Sequence, residues 1–146
     1  MSGAQLHGVG IDLVHVPGLR DQLGDSASGF AEGTFTVGER SDAAGRSSGD
    51  PARHLAARFA AKEAFVKAWS GGFFGCAPQI TRIDLRHVEV VADAWGRPAL
   101  RLAPPLAERV GPLRAHLSLS HDGDYAIAQV VLERPLASSA AEGGQR

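Results

Sequence analysis

The stretch DPARHLAARFAAKEAFVKAWSGG, from Asp50 to Gly72, constrains the fold more than any other part of the chain. Asp50 is a favourable N-cap, and Pro51 suits the first helical position because the amide that proline lacks would be unbonded there. Gly71 and Gly72 can supply the left-handed residue that often closes a helix. The stretch therefore predicts a long helix with defined ends.

One face of this helix is apolar and predicts contact with a core. At about 100° per residue, a single stripe collects five large side chains: Leu55, Phe59, Phe65, Val66 and Trp69. Lys62 projects within this apolar arc, whereas Glu63 and Lys67 share one flank beside two alanines, Ala56 and Ala60. From the helix alone, an ion pair worth about 0.2–0.5 kcal/mol is the favoured interpretation of that flank. The alternative is a polar site that the alanines leave open to a ligand.

Length and composition indicate a soluble globular protein. With 146 residues, 44% hydrophobic and 21% charged, the chain can bury a core without disulfides or metals. A net charge of −1 gives no reason to expect nucleic acid or an anionic membrane as a partner. No apolar run reaches the roughly 18–20 residues of a membrane span. Cys76 is the only cysteine, so a cytoplasmic location is expected.

A first strand is predicted over Gln5–Val14. Its residues alternate between two faces: Val9, Ile11 and Leu13 on one, Gly8, Gly10 and Asp12 on the other. The apolar face is expected to point towards the core. The second face places a carboxylate beside two residues without side chains, where a ligand could come close. Because Asp is disfavoured in strands, Asp12 is either a solvated or capping charge or a functional carboxylate.

The remaining elements follow from alternation and turn signals. They are a helix over 16–23, a capping box at Thr36 and Glu39, a mobile loop over 41–49, strands over 82–91 and 99–103, a helix over 104–110, and strands over 114–120 and 125–133. Residues 1–133 are predicted to form one domain, and residues 134–146 a disordered tail. The class expected is α+β, with a mostly antiparallel sheet and the long helix packed on it. Several strands are apolar on both faces, which indicates burial by another subunit.

Three clusters stand apart from this packing pattern. They are Asp12 with its glycines, the Lys62–Glu63–Lys67 group, and the SLSHDGD segment over 118–124. Two carboxylates from separate elements suit Mg²⁺, which keeps water and substrate phosphate as its other ligands. Lysines neutralise phosphate, and a Ser/His-rich turn can hydrogen-bond it. Together these groups indicate a site for phosphoryl-type transfer.

Other chemistries have weaker support in the sequence. There is no P-loop, and GVGID lies within a strand rather than opening a helix. One cysteine and no paired histidine spacing argue against zinc. Ser120 and His121 are neighbours in a strand, so they point to opposite faces and do not form a nucleophile–base pair.

Three motifs, in order and at matching separations, resemble the signature segments of holo-acyl-carrier-protein synthases, the short 4′-phosphopantetheinyl transferases. They are GVGIDLVHV, ARFAAKEAFVKAWSGG and LSLSHDGDYAIAQVVLE, while FTVGER and WGRPALRL match weaker segments. The likeness spans about Leu6 to Glu133. It implies the 4′-phosphopantetheinyl transferase fold and a homotrimer with active sites at subunit boundaries.

The resemblance also implies a reaction. 4′-Phosphopantetheine would pass from the co-substrate coenzyme A to a serine of apo-acyl carrier protein, releasing adenosine 3′,5′-bisphosphate. The metal implied is Mg²⁺, with Mn²⁺ as an alternative. The carrier protein could belong to fatty-acid or polyketide synthesis.

Site residues are implied in the same way. Asp12 and Glu63 fall on the Mg²⁺ ligands, with Asp122 as a further candidate, and Lys67 is expected near the phosphates. Glu63 could take the serine proton, and His121 completes the catalytic set. The residues implied for coenzyme A binding are Arg58, Lys62, Gly96, Arg97, Pro98, Ser120 and His121.

Two other functions fit the same segments. One is a catalytically silent module that binds coenzyme A or a carrier protein. It is disfavoured because Asp12, Lys62, Glu63, Lys67 and His121 are all present, and a degenerate copy should lack at least one. The other is a phosphoester hydrolase, for which no water-activating pair is evident.

Overall fold

The computed structural model describes residues 3–45 and 49–136. Its elements, in chain order, are β1 (Ala4–His15), α1 (Val16–Gly24), α2 (Phe30–Thr34), α3 (Val37–Gly45), α4 (Pro51–Gly71), a 3₁₀ turn (Leu85–His87), β2 (Val88–Ala92), β3 (Pro98–Leu102), α5 (Pro104–Val110), β4 (Arg114–Asp122) and β5 (Tyr125–Pro135).

All strand pairs are antiparallel. One sheet has the order β1-β5-β4, and β2 and β3 form a separate hairpin. The long helix α4 packs on one side of the three-stranded sheet. The predicted α+β class, with a mostly antiparallel sheet and a central helix, is confirmed.

The N-terminus of α4 forms as predicted, but its C-terminus does not. The Asp50 side chain accepts a hydrogen bond from the Ala52 amide at 3.0 Å, and Pro51 occupies the first helical position. Gly71 belongs to the helix, and Gly72 caps it with φ of −69°. Gly72 has the right-handed helical conformation instead of the predicted left-handed one. The last turn of the helix tightens, and the Gly72 amide donates a hydrogen bond to the Trp69 carbonyl oxygen.

The alanines of α4 are part of the core. Five of them are fully buried: Ala56, Ala60, Ala61, Ala64 and Ala68. The predicted stripe is buried at Leu55, Phe65 and Trp69, and half-buried at Phe59 and Val66. Ala56 and Ala60 therefore do not leave an open approach to a ligand, because neighbouring elements cover them.

The predicted orientation of β1 is wrong. Val9, Ile11 and Leu13 are exposed, whereas Gly10 is buried against α4. A Cβ atom at Gly10 would lie 1.8 Å from the Ala64 carbonyl oxygen. The glycine face points inward because α4 approaches the strand so closely that no side chain fits between their backbones.

Several predicted boundaries also shift. Residues 41–45 are helical, as the end of α3, and residues 46–48 of the predicted loop lie outside the described residues. The strand predicted over 82–91 begins only at Val88, since Asp84 instead caps the 3₁₀ turn by accepting from the Arg86 amide. β5 continues to Pro135, beyond the predicted domain end. The rest of the predicted tail, 137–146, lies outside the described residues.

Candidate active site

A carboxylate pair lies where β1 crosses α4. Asp12 projects from the inward face of β1, and the Lys67 ammonium of α4 lies 2.7 Å from its Oδ1. Lys67 also donates to the Ile11 carbonyl at 3.0 Å. Glu63, one helical turn before Lys67, completes the group. Asp12 and Glu63 line an open cleft of about 460 Å³ together with His15, Gln22 and Phe59, which we call the carboxylate cleft.

The glycines of β1 create this arrangement. Cβ atoms at Gly8 and Gly10 would lie 2.0 Å from Ala68 O and 1.8 Å from Ala64 O, respectively. Because both positions lack side chains, β1 can lie directly on α4, and the Asp12 side chain reaches the Lys67 ammonium. The glycine spacing is therefore a positioning feature of the site.

The electrostatics of the pair favour a cation. Burial, and then the nearby negative charge of Asp12, raise the pKa of Glu63, while Lys67 partly opposes them. Among the described residues, none donates a hydrogen bond to the Glu63 carboxylate. A divalent ion between the two carboxylates would offset their repulsion, so the donor set fits a hard cation.

Within the described part of one protomer, no third His, Cys, Asp or Glu side chain joins this pair as a metal ligand. Within residues 3–45 and 49–136, no group of three or more His, Cys, Asp or Glu side chains could hold an ion. Asp122 does not lie beside the carboxylate pair. Asp12 lies opposite Ala128 of β5, which in turn lies opposite Leu119 of β4. Asp122 is therefore two strands away from Asp12 and three residues further along β4. Those offsets are each about 10 Å, so Asp122 lies away from Asp12 within one chain, and its role as a metal ligand stays a prediction.

A second cleft collects most of the residues implied for coenzyme A. Its volume is about 410 Å³, and it lies between α4, the β2–β3 hairpin and the end of β4. We call it the hairpin cleft. Five implied residues line it: Arg58, Gly96, Pro98, Ser120 and His121. Its other lining includes His54, Val90 and Val91, which the sequence did not single out.

Arg58 is held firmly at the wall of the hairpin cleft. Its guanidinium is buried, forms an ion pair with Asp42, and donates to the His54 carbonyl at 3.2 Å. The i, i+4 spacing of His54 and Arg58 on one face of α4 is the signal that could have identified His54.

Arg97 lies beside the hairpin cleft rather than in its lining. Its Nε is 2.5 Å from Asp93 Oδ2, and its guanidinium lies 5.0 Å from the ring centre of the exposed Trp95. Gly96 has φ of 81°, which lets the β2–β3 turn close tightly before Pro98.

Lys62 does not face either cleft, and its predicted contact with coenzyme A disagrees with the structure. Its side chain has no exposed surface, and its ammonium lies 2.9 Å from Glu39 Oε2. The same ammonium donates to Leu85 O and Val88 O, each at 2.8 Å. All three N–H groups are therefore used inside the protein. Burial lowers the pKa of Lys62, and Glu39 partly opposes that shift.

The two clefts open on different flanks of α4. Arg58 and Glu63 are five residues apart, which places them roughly 140° apart around the helix axis. The two clefts share no lining residue. One protomer therefore presents the carboxylate cleft and the hairpin cleft in different directions.

The β1 side of the sheet face opposite α4 is largely apolar, and the described residues leave it uncovered. Val9, Ile11 and Leu13 are 51–61% exposed, and their β5 partners on the same face include Val131 and Ile127. We call this surface the outer face. The prediction that some strands carry apolar residues on both faces thus holds. In β1, the exposed apolar side is the one that was expected to face the core.

Comparisons with known proteins identify the family of this chain. The sequence profile of the 4′-phosphopantetheinyl transferase superfamily matches residues 8–130, so the chain belongs to that superfamily. The holo-[acyl-carrier-protein] synthase of Mycobacterium tuberculosis is 51% identical over 128 residues, which cover 88% of this chain and 97% of that protein. The resemblance to the holo-acyl-carrier-protein synthases identified from the motifs is confirmed.

Solved structures give the same result. The coenzyme A complex of the synthase from Chronobacterium ammoniagenes superposes with a TM-score of 0.80 at 42% identity, covering 90% of this chain and 98% of that one. The Mycobacterium tuberculosis acyl carrier protein synthase superposes with a TM-score of 0.72 at 47% identity, covering 90% and 100%. Within the described ranges, no helix is both long and apolar enough to cross a membrane.

Proposed function

We propose that this chain transfers 4′-phosphopantetheine from coenzyme A to a serine of an apo-acyl carrier protein, with Mg²⁺ held by Asp12 and Glu63. The observation that carries the metal assignment is the carboxylate pair beside Lys67, in which burial and then the negative charge of Asp12 raise the pKa of Glu63. Mn²⁺ offers similar oxygen coordination and is the alternative ion.

The reaction is a displacement at phosphorus. The serine oxygen attacks the phosphorus that bears the pantetheine, and the bond from that phosphorus to the bridging oxygen breaks. Adenosine 3′,5′-bisphosphate leaves with that oxygen. When bound, the metal would neutralise charge on the pyrophosphate.

The chain's own residues supply the rest. Glu63 accepts the serine proton as the general base, directly or through a water. Lys67, anchored between Asp12 and the Ile11 carbonyl, presents its charge to the phosphates. In the hairpin cleft, Arg58 and His121 face the coenzyme, with Gly96 and Pro98 at its adenosine end.

Each complete active site combines two protomers. The carboxylate cleft and the hairpin cleft open roughly 140° apart around α4, whereas the reaction needs metal, phosphate and coenzyme together. Packing of outer faces in a homotrimer would bury the exposed Val9, Ile11 and Leu13 and could bring clefts of neighbouring protomers together. A cytoplasmic location is the expectation that accompanies a carrier-protein substrate.

The direct test is the mass of the carrier protein. The purified chain is incubated with coenzyme A, Mg²⁺ and apo-acyl carrier proteins of fatty-acid and polyketide synthesis. A gain of one phosphopantetheine on a carrier supports the proposal and identifies the partner. Unmodified carriers across the whole panel would support the silent binding module instead, and omission of Mg²⁺ tests the metal.

Co-expression of inactive variants tests the shared site. Glu63→Gln disables the carboxylate cleft and His121→Ala the hairpin cleft, so random mixed trimers should contain about one quarter intact sites, half times half. A mixture of Glu63→Gln with Asp12→Asn is the matched control, because both changes lie in one cleft. Equal inactivity of the two mixtures would contradict a shared site.

A further inference from the structure

The KEAFVK motif, residues 62–67 of α4, contains a lysine that the proposed reaction does not use. Lys62 and its partner Glu39 are both fully buried, and their charged atoms lie 2.9 Å apart. A lysine and a glutamate removed from water cost several kcal/mol each before they attract one another, and an apolar pair of similar volume often serves the fold equally well. Their presence in the interior of the protein therefore indicates a role beyond stability.

Backbone groups form hydrogen bonds with both charged groups of this pair. Lys62 on α4 donates to the carbonyls of Leu85 and Val88, at the 3₁₀ turn and the start of β2. Glu39 on α3 accepts from the Val90 amide at 2.8 Å and from the Thr36 amide at 3.1 Å. The pair thus joins α4, α3 and β2 at one point.

The elements so joined carry the two clefts. Glu63 follows Lys62 directly along α4, and lines the carboxylate cleft. Val90 donates its amide hydrogen bond to Glu39, and it lines the hairpin cleft together with its neighbour Val91. A displacement of α4 along or around its axis would move Glu63 relative to the hairpin cleft, and the buried pair opposes that displacement at both ends.

A second set of contacts extends the link across the hairpin. The Thr36 hydroxyl donates to Glu89 Oε1 at 2.9 Å, and Glu89 Oε2 lies 2.7 Å from an Arg101 nitrogen. Val88, which Lys62 contacts, pairs with Leu102 on β3. The β2–β3 hairpin, which forms one wall of the hairpin cleft, is therefore attached to α4 through Lys62 and Glu39.

We propose that Lys62 and Glu39 are positioning residues for the transfer reaction. Their buried pair sets the distance between the Glu63 carboxylate and the hairpin cleft of the same chain, and neither side chain touches coenzyme A. Because each protomer contributes its two clefts to different active sites, this distance also controls how the sites match around the assembly. The inference rests on the proposed function of Glu63.

The test compares Lys62→Met, Glu39→Gln and the double variant with the wild-type chain. The double variant removes both charges together, so that neither is left uncompensated. Leu132→Ala is the matched control, because Leu132 is equally buried and lines neither cleft. Folded fractions are measured by circular dichroism, and kcat is measured at saturating coenzyme A at a temperature where each variant is folded.

The expected result separates rate from binding. The double variant should lose on the order of tenfold in kcat, as expected for misplacement of reacting groups. Its affinity for coenzyme A, measured by calorimetry without metal, should stay within about threefold of wild type. Leu132→Ala should lose thermal stability but keep its kcat per folded molecule.

Two outcomes overturn the inference. A double variant with wild-type kcat per folded molecule would leave the pair a purely structural role. A loss of metal-free coenzyme A affinity as large as the loss of kcat would make Lys62 a ligand of the coenzyme. If the Lys62 variants do not fold, Glu39→Gln decides the matter: lower kcat with unchanged affinity supports positioning, and unchanged kcat contradicts it.

Failure of the underlying function gives a different pattern. Full activity of Glu63→Gln would contradict the assignment of Glu63 itself. Inactivity of Glu63→Gln, combined with a fully active double variant, would contradict only the positioning role of Lys62 and Glu39.

Discussion

The Lys67 ammonium lies 2.7 Å from the Asp12 carboxylate and joins the first strand of the chain to its central helix at the candidate active site. The contact spans 55 residues of sequence. It exists because Gly8 and Gly10 let β1 lie directly against Ala64 and Ala68. The close packing of β1 on α4 and the contact between Asp12 and Lys67 therefore both depend on these two glycines.

Removal of either carboxylate should abolish most of the activity. Asp12→Asn and Glu63→Gln keep the size of each side chain but remove a negative charge that a divalent ion requires. We expect kcat to fall by about 10²-fold or more while the circular dichroism spectrum is retained. The exposed Glu108→Gln on α5 is the control and should keep full activity. Near-normal transfer by either site variant would contradict the metal assignment.

The stability of the metal-free protein should depend on pH through Glu63. Its pKa is raised in the folded state, so its contribution to stability is fully present below the unfolded carboxyl pKa and is lost as the pH rises through the folded value. Without metal, Glu63→Gln should therefore melt at or above the wild-type temperature near pH 7. The difference should vanish at acidic pH, where wild-type Glu63 is also neutral.

Added Mg²⁺ should reverse that order. An ion that binds only the folded state raises the melting temperature, and the gain continues to grow as the ion concentration exceeds the dissociation constant. We expect wild type, but not Glu63→Gln, to gain thermal stability on titration with MgCl₂. Equal gains in both proteins would indicate that the ion binds elsewhere.

Substitution of Gly10 by alanine should damage both fold and site. The added Cβ would lie 1.8 Å from Ala64 O and 2.7 Å from the Ala68 amide nitrogen, so β1 and α4 must separate. Overpacking of this kind costs about 1–3 kcal/mol, or more where two backbones collide. Gly24→Ala, with no atom within 4 Å of its added Cβ, is the control. Denaturant unfolding measures both, and an unaffected Gly10→Ala would contradict the close packing.

Disruption of the outer face should dissociate the protein and inactivate it together. Ile11 is 55% exposed in the protomer, so Ile11→Glu should cost the isolated fold little. A buried charge at an interface between subunits would be far more costly. We expect light scattering to show smaller species and activity to fall on the order of tenfold or more. Val37→Glu, at another exposed apolar position on α3, is the control. A fully assembled Ile11→Glu protein would exclude the outer face from the interface.

Local signals in the sequence were sufficient for much of the fold. The N-cap at Asp50 forms as predicted, and α5 has its predicted limits, since proline opens it and Gly111 ends it with φ of 71°. The capping box also forms: Thr36 N donates to Glu39, and Glu39 N donates to Thr36 Oγ1. These features depend on residues at most four positions apart, so the sequence contains all the information they require.

The face of β1 could not be decided in this way. Alternation separates Val9, Ile11 and Leu13 from Gly8, Gly10 and Asp12, but it does not state which set faces α4. Hydrophobicity favoured the wrong set, because the chain buries glycine against alanine and leaves its larger side chains on the outer face. The deciding quantity is the approach distance between two backbones, which depends on the tertiary structure.

The sequence by itself determined the helix of the KEAFVK motif, the class of the fold and the residues around which its chemistry is proposed. Only the tertiary structure decided what each motif residue touches: Glu63 lines a cleft with Asp12, whereas Lys62 is closed inside the protein by Glu39. The helical pattern placed Lys62 within the apolar arc and Glu63 on its flank, but it could not show that Glu39 on another helix would pair with the buried ammonium. The helix turns about 100° per residue, so Lys62 points to the core and Glu63 points to an open cleft. The neighbouring elements that surround each side chain are set by the tertiary structure.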